Sequence, residues 1–205
     1  VIHRRFEARL SRYFDGQGCP LPGYFEEVSC YNCGSSRAKN EFVIARFRHV
    51  RCESCGMVYV SPRLREDLAH GSYTEDYYTD TYRLKLIPAL PYRTRVINPR
   101  KYAQLMEYFF APGSILDVGC GLGDFLHECK SRGWKTLGIE LNPFAADYAR
   151  REFGLDVAAT SVSAFDEKVE RFDCVTLWGM LEHVARPVAL LEKARDLLRP
   201  GGLLV

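Results

Sequence analysis

The stretch Ser114-Ile115-Leu116-Asp117-Val118-Gly119-Cys120-Gly121-Leu122-Gly123-Asp124-Phe125-Leu126 constrains this chain more than any other. Ile115, Leu116 and Val118 form the short apolar run of a central parallel strand. Gly119, Gly121 and Gly123 then let the backbone turn sharply and approach a ligand where a Cβ would collide. Phe125, Leu126 and Cys129 continue at helical spacing, so the turn feeds a helix N-terminus whose free N–H groups suit an anion. The next strand pattern, Thr136 to Glu140, ends on an acid, and a carboxylate at that point accepts both hydroxyls of a ribose. These features together predict a nucleoside-cofactor site in a doubly wound sheet. The nicotinamide fingerprint is G-x-G-x-x-G. Here the spacing is G-x-G-x-G, which disfavours a dehydrogenase.

Two further stretches decide between cofactors. Arg171 to Val184, containing Leu177-Trp178-Gly179-Met180-Leu181-Glu182-His183, follows the glycine motif, and Leu197-Leu198-Arg199-Pro200-Gly201-Gly202-Leu203-Leu204-Val205 closes the chain. In this order the three motifs resemble those of class I S-adenosylmethionine-dependent methyltransferases of the type 11/23 kind, over roughly residues 100–205. The resemblance implies a Rossmann-like, doubly wound, mostly parallel sheet. It also implies roles. Asp117, Gly119, Cys120, Gly121 and Gly123 would surround the methionine part of S-adenosylmethionine. Glu140 would bind the ribose hydroxyls, with Leu141 beside the adenine. Thr160 and Ser161 stand where the family often places an Asp on the adenine amino group, so a hydroxyl or the backbone would have to serve. Trp178 would lie beside the sulfonium. Gly179 replaces an acid common in related chains. Glu182 and His183 are the acid–base candidates, since an imidazole can take a proton from an attacking hydroxyl; the alternative is that this dipeptide only caps its loop. The last strands of the family fold would lie beyond Val205, so the chain is expected to be a piece of a longer protein.

The N-terminal part carries a separate signature. Cys30-Tyr31-Asn32-Cys33-Gly34 and Cys52-Glu53-Ser54-Cys55-Gly56 are matching knuckles, with eighteen residues between Cys33 and Cys52. That spacing suits a four-cysteine zinc site. Four thiolates fill the coordination sphere, which makes the predicted zinc structural. Two disulfides or a redox C-x-x-C are the alternatives. Cys120, Cys129 and Cys174 fall in apparently buried positions, and that cysteine usage points to a reducing cytoplasm. Glu41–Arg51 has the β-rich pattern of a ribbon, and Met57–Val60 that of a last strand.

Charge adds little. The net charge is +2, but residues 1–65 carry 11 Lys/Arg against 6 Asp/Glu while 66–205 carry 17 against 20, so the basic excess lies around the ribbon. No apolar run reaches the ~18 residues of a membrane span. The sequence therefore divides into a lead-in at 1–27 with a short helix over 4–14, a zinc ribbon at 28–62, a Tyr-rich linker or lid at 63–98, and a methyltransferase domain at 99–205, incomplete at its C-terminus. Tyr73/Tyr77 and Tyr78/Tyr82 have i,i+4 spacing and either line a pocket or pack as aromatics. The basic residues among them, Arg83, Lys85, Arg93, Arg95, Arg100 and Lys101, either meet an anionic ligand or form a solvated surface. A helix is expected over Pro99–Phe110. The function expected is O- or C-methylation of a small metabolite or sugar derivative. Alternatives are an RNA methyltransferase that uses the ribbon to hold its substrate, and a non-catalytic scaffold. The sequence sets no oligomeric state.

Overall fold

The computed structural model describes residues 8, 10–69, 76–165 and 171–205. The chain divides into two compact units, Val1–Ser72 and Tyr73–Val205. The helix expected over 4–14 and the Tyr73/Tyr77 pair fall largely outside the described residues. Among the described residues no helix is long and apolar enough to cross a membrane.

In the first unit, β1 (Phe25–Glu26) pairs antiparallel with β5 (Arg63–Leu64). Strands β2 (Ala38–Ile44), β3 (Phe47–Cys52) and β4 (Val58–Val60) form an antiparallel sheet in that order. The rings of Phe14, Phe25 and Phe47 meet at 5.1–6.2 Å between centroids and supply an aromatic core.

The second unit is a five-stranded parallel sheet of order β10-β9-β6-β7-β8, with β6 (Ser114–Val118) at its centre. Its neighbours are β7 (Lys135–Ile139), β8 (Val157–Ala158), β9 (Phe172–Thr176) and β10 (Leu198–Leu204). Every residue of β6 is buried, as a strand covered on both faces requires. Side chains alternate along it. Ile115 joins a core with Leu126, Cys129, Ala146 and Cys174, while Leu116 and Val118 join another with Ile139, Val175, Leu190 and Ala194. The first face is covered by α3 (Asn98–Met106), α4 (Asp124–Ser131) and α5 (Pro143–Phe153), and the second by α6 (Pro187–Asp196). This is the Rossmann-like doubly wound fold expected from the alternating pattern.

Asp173 ties three strands together. Its Oδ2 accepts from the Ser114 backbone N–H at 2.7 Å and from the Ser114 hydroxyl at 2.8 Å, and Arg199 reaches it from β10 at 2.9 Å. Burial alone would raise its carboxyl, but these donors hold it below the usual range.

From residue 76 on, the segment expected as a Tyr-rich linker or lid is helical. After α1 (Asp76–Thr81) comes a π-turn at Tyr82–Leu86, then α2 (Ile87–Tyr92), a second π-turn at Arg93–Ile97, and α3. α3 stops at Met106, short of the expected Phe110. Asn98, Tyr102 and Leu105 are its buried positions; beyond Met106 the chain turns so that Phe109 packs edge-on against Trp134 at 5.1 Å, while Tyr108 and Phe110 are exposed.

The turn after β6 depends on Gly123. Its φ is +80°, and an added Cβ would come within 2.6 Å of Leu155 Cδ1 and 2.8 Å of Ala149 Cβ. Gly154, at φ +59°, has nothing within 4 Å. Gly123→Ala is therefore expected to cost about 2–4 kcal/mol, and Gly154→Ala only about 1–2 kcal/mol. Urea unfolding at constant m-value checks this; equal costs would show that α5 does not crowd the turn.

Candidate functional site

The site of the second unit lies at the C-terminal ends of β6 and β7, where the glycine turn enters α4. The three glycines do different things there. Gly119 faces Met180, whose Sδ would lie 2.8 Å from an added Cβ; Gly121 faces Tyr82; Gly123 packs on α5. The N–H groups of Gly119 and Cys120 both point at the Ile139 carbonyl, at 2.7 and 3.1 Å. The Cys120 side chain is buried and turned back toward Gly138, where an added Cβ would meet its Sγ at 2.6 Å. Its backbone therefore shapes the turn while its thiol fills the core.

Glu140 closes one end of the site. It is buried, its Oε2 accepts from the Gly121 N–H at 2.8 Å, and its Oε1 accepts from the Asn142 N–H at 2.7 Å. Burial raises the carboxyl, and these backbone donors, with the Leu141 N–H and the Tyr82 hydroxyl, oppose the rise. The Asn142 side chain caps α5 through the Ala145 N–H at 3.1 Å, and Pro143 follows at the first helical turn. Leu141 is half-buried beside them. Thr160 follows β8 in the same direction. The Ser161 hydroxyl accepts from the Ala164 N–H at 3.2 Å and so caps the 3₁₀ turn Val162–Ala164.

Asp117 occupies the other end. It is buried and receives the Thr176 hydroxyl at 2.6 Å on Oδ1. Burial pushes its carboxyl up to about 7, against the pull of Thr176 and Lys101. Next to it the helical segment 93–101 contributes Arg93 and Lys101, two of the bases named in the sequence, and Asn98, which the sequence did not single out. Arg93 makes a two-pronged ion pair with buried Asp124 at 2.8 and 3.2 Å, and Asn98 Nδ2 donates to the same carboxylate at 2.8 Å. Arg93 and Asn98 are five residues apart, and a π-turn with i→i+5 periodicity places such residues above one another. Lys101 is half-buried with its ammonium 4.3 Å from the centre of the Trp178 ring. Burial lowers its pKa, while Asp117 pulls it the other way. Trp178 also meets Phe125 edge-on at 5.5 Å. The Trp178 indole N–H and the Asn98 side-chain oxygen are buried without a hydrogen-bond partner among the described residues. Two orphaned polar atoms beside a desolvated acid and a desolvated lysine fit a zwitterionic ligand head; the buried acid at the other end fits a diol.

Glu182 and His183 stand exposed on the 3₁₀ turn Leu181–His183 that follows Trp178 and Gly179. The glycine in place of an acid leaves Gly179 free to adopt φ +63°.

In the first unit the four knuckle cysteines converge. Their sulfurs lie within 4.8 Å of one another, with Cys30–Cys55 at 3.5 Å and Cys33–Cys52 at 3.6 Å. A disulfide is about 2.05 Å, whereas the edge of a tetrahedron with 2.3 Å metal–sulfur bonds is about 3.8 Å. The donor set therefore fits zinc and not a pair of disulfides. The knuckles repeat each other: Gly34 N–H to the Cys30 carbonyl at 2.8 Å, Gly56 N–H to that of Cys52 at 3.0 Å. Backbone N–H groups of Cys55 and Ser54 pull the Cys52 thiol down to about 6 against burial, so a thiolate is already favoured. Three arginines of this unit are ion-paired internally, Arg48 with Glu27, Arg51 with Glu41 and Arg63 with Glu26, which commits these guanidiniums to acids of the same unit.

Comparisons with known proteins bear on the family and the fold of the second unit. Residues 92–205, more than half of the chain, match a methyltransferase domain family. The chain is 32% identical over 113 residues to a ubiquinone biosynthesis O-methyltransferase of Stutzerimonas stutzeri, covering 52% of this chain and 49% of that protein. It is 34% identical over 113 residues to the like-named protein of Nitrosococcus oceani, covering 52% and 48%. The chain thus spans about half the length of the curated relatives it matches. The solved structure of 1,6-didemethyltoxoflavin-N1-methyltransferase from Burkholderia thailandensis, with bound S-adenosylhomocysteine, shares the fold: TM-score 0.55, 20% identity, 82% of this chain and 71% of that one. With the glycine turn, the acid after β7 and the matched family together, the chain belongs to the class I S-adenosylmethionine-dependent methyltransferases.

Proposed function

We propose that the Tyr73–Val205 unit binds S-adenosylmethionine and transfers its methyl group to an oxygen or carbon atom of a small-molecule acceptor. The observation that carries this reading is the placement of two buried carboxylates, Asp117 and Glu140, at either end of one glycine turn. Glu140 would take the ribose hydroxyls, with Leu141, Thr160 and Ser161 toward the adenine. Asp117 and the free Asn98 oxygen would receive the ammonium of the methionine part, and Lys101 its carboxylate. When bound, S-adenosylmethionine supplies a methyl group already activated on a positively charged sulfur. The chain's own residues then have mainly to align and to shield. Holding both ends of the ligand fixes the direction of attack. The Trp178 ring offers a flat π-face that tolerates positive charge and excludes water. His183 would take the proton from an acceptor hydroxyl, with Glu182 beside it.

The names of the curated relatives support an oxygen acceptor on a small molecule. The internal pairing of Arg48, Arg51 and Arg63 weighs against a ribbon that grips RNA. In the first unit Cys30, Cys33, Cys52 and Cys55 would hold one structural zinc, fixing β2–β4 where few apolar side chains are buried.

Calorimetric titration with S-adenosylmethionine and S-adenosylhomocysteine is expected to give micromolar binding, weakened about 10–100-fold by Glu140→Ala and by Lys101→Ala. Undiminished binding by both variants would remove this reading.

Metal analysis is expected to find about one zinc per chain. Cys52→Ser should abolish it, and cobalt exchange should give the charge-transfer absorption of a tetrahedral thiolate site. A zinc-free protein with unreactive, disulfide-bonded cysteines is the opposing result.

Asp117 makes a pH prediction. Its folded pKa of about 7 lies above the unfolded value near 3.9. Between these values the folded protein keeps a proton that the unfolded chain releases, so this residue lowers stability as pH rises from ~4 to ~7. Asp117→Asn keeps an acceptor for Thr176 and removes the titration. Calorimetric unfolding should show the variant stabilised by roughly 2–4 kcal/mol at pH 8 and nearly unchanged at pH 4. Equal effects at both pH values would show that Asp117 is not desolvated.

A further inference from the structure

Asp124 holds two side chains of one segment at once. Arg93 Nε donates to its Oδ2 at 2.8 Å and Arg93 Nη2 to its Oδ1 at 3.2 Å, while Asn98 Nδ2 donates to Oδ2 at 2.8 Å. Asp124 and Asn98 are buried, at 3% and 0% exposure. The backbone N–H of Asn98 bonds the Arg93 carbonyl, and this i→i+5 bond of the second π-turn sets one side chain above the other. Asp124 opens α4, where the helix dipole favours negative charge, and Arg93 compensates that charge.

The arrangement fixes which way the Asn98 amide points. An ion-paired carboxylate only accepts hydrogen bonds, whereas a primary amide has a donating and an accepting end. Only the NH2 end of Asn98 can face Asp124, so its oxygen must point elsewhere. That oxygen is buried and has no hydrogen-bond partner among the described residues. A buried acceptor left so is costly until something supplies a donor. Lys101 stands one turn further along the same face of α3, with its ammonium 4.3 Å from the centre of the Trp178 ring. The orphaned oxygen thus belongs to the helix face that meets Trp178.

We propose that Asp124 is a positioning residue: it turns the Asn98 amide so that the oxygen faces the cofactor site, and that oxygen selects ligands carrying an amino group. This rests on the reading that the Tyr73–Val205 unit binds S-adenosylmethionine. Asp124 itself touches no ligand; its effect passes through the amide. A ligand with an amino group brings the donor that the oxygen lacks. A ligand in which hydrogen replaces that group leaves the oxygen desolvated and unpaired, and the site rejects it. Without the carboxylate the amide is free to turn its NH2 end outward, and the preference falls.

The test is titration with S-adenosylhomocysteine and with its deaminated analogue, which keeps the carboxylate and the thioether. The readout is the ratio of the two affinities. Wild-type protein should prefer S-adenosylhomocysteine, and Asp124→Asn and Asn98→Ala should each reduce that preference about tenfold. Combining them should reduce it no further, because both act on one oxygen. Where Asp124→Asn alone does not fold, Arg93→Met/Asp124→Asn buries no lone charge and takes its place. A purely structural role would weaken both ligands alike and leave the ratio unchanged. An unchanged ratio in the variants, a roughly hundredfold loss in the combined variant, or a wild type that binds both ligands equally overturns the proposal while leaving the cofactor reading intact. Folded wild-type protein that binds neither ligand overturns both.

Discussion

The bond from the Gly121 N–H to the Glu140 carboxylate joins the loop after β6 to the loop after β7. Adjacent parallel strands need no such tie to stay paired, since their ladders already hold them. The loops at their ends do need it, because each leaves the sheet in a different direction. One buried side chain fixes both: Oε2 holds the glycine turn and Oε1 holds the residue that caps α5. The carboxylate thus organises the rim before any ligand arrives, which is the condition for alignment to count in catalysis.

The rim is also unbalanced in charge. Asp117, Asp124 and Glu140 are buried close together and face Arg93 and Lys101. Arg93 is committed to Asp124. Burial raises the carboxyls of both Asp117 and Glu140 and outweighs every donor, with Asp124 and Glu140 adding to the rise at Asp117. Such a pocket resists anions that bring no compensating cation. It favours a ligand whose positive groups are distributed along its length, and the methyl-donating sulfonium is one of these.

Much of this was legible in the sequence, for physical reasons that can be named. The β6–turn–α4 unit announces itself because burial on both faces demands an apolar run and the turn demands glycine. Glu140 is legible because it ends the next such run. The knuckle spacing is legible because a tetrahedral ion admits few loops. On 93–101, Arg93 and Lys101 were legible only as bases with two possible roles, and Asn98 was not legible at all. A π-turn shifts the helical phase, so Arg93 and Asn98 share a face that a 3.6-residue period separates, and Lys101 reads as one more surface base. The three glycines look equivalent in the sequence yet differ in what each faces. That Ser161 also caps the 3₁₀ turn Val162–Ala164 was not read from the sequence.

The strand order has a consequence for how the protein is made. β6 lies between β7 and β9, and its first residue, Ser114, is pinned by Asp173, which lies 59 positions further on. Translation delivers β6, β7 and β8 as a sheet growing one way, and the chain then returns to the opposite edge of β6. Until β9 leaves the ribosome, that edge presents unpaired backbone beside Leu116 and Val118. At about 5–20 residues per second the wait is roughly 3–12 s. For that interval a strand whose every residue is buried in the finished fold is an open edge.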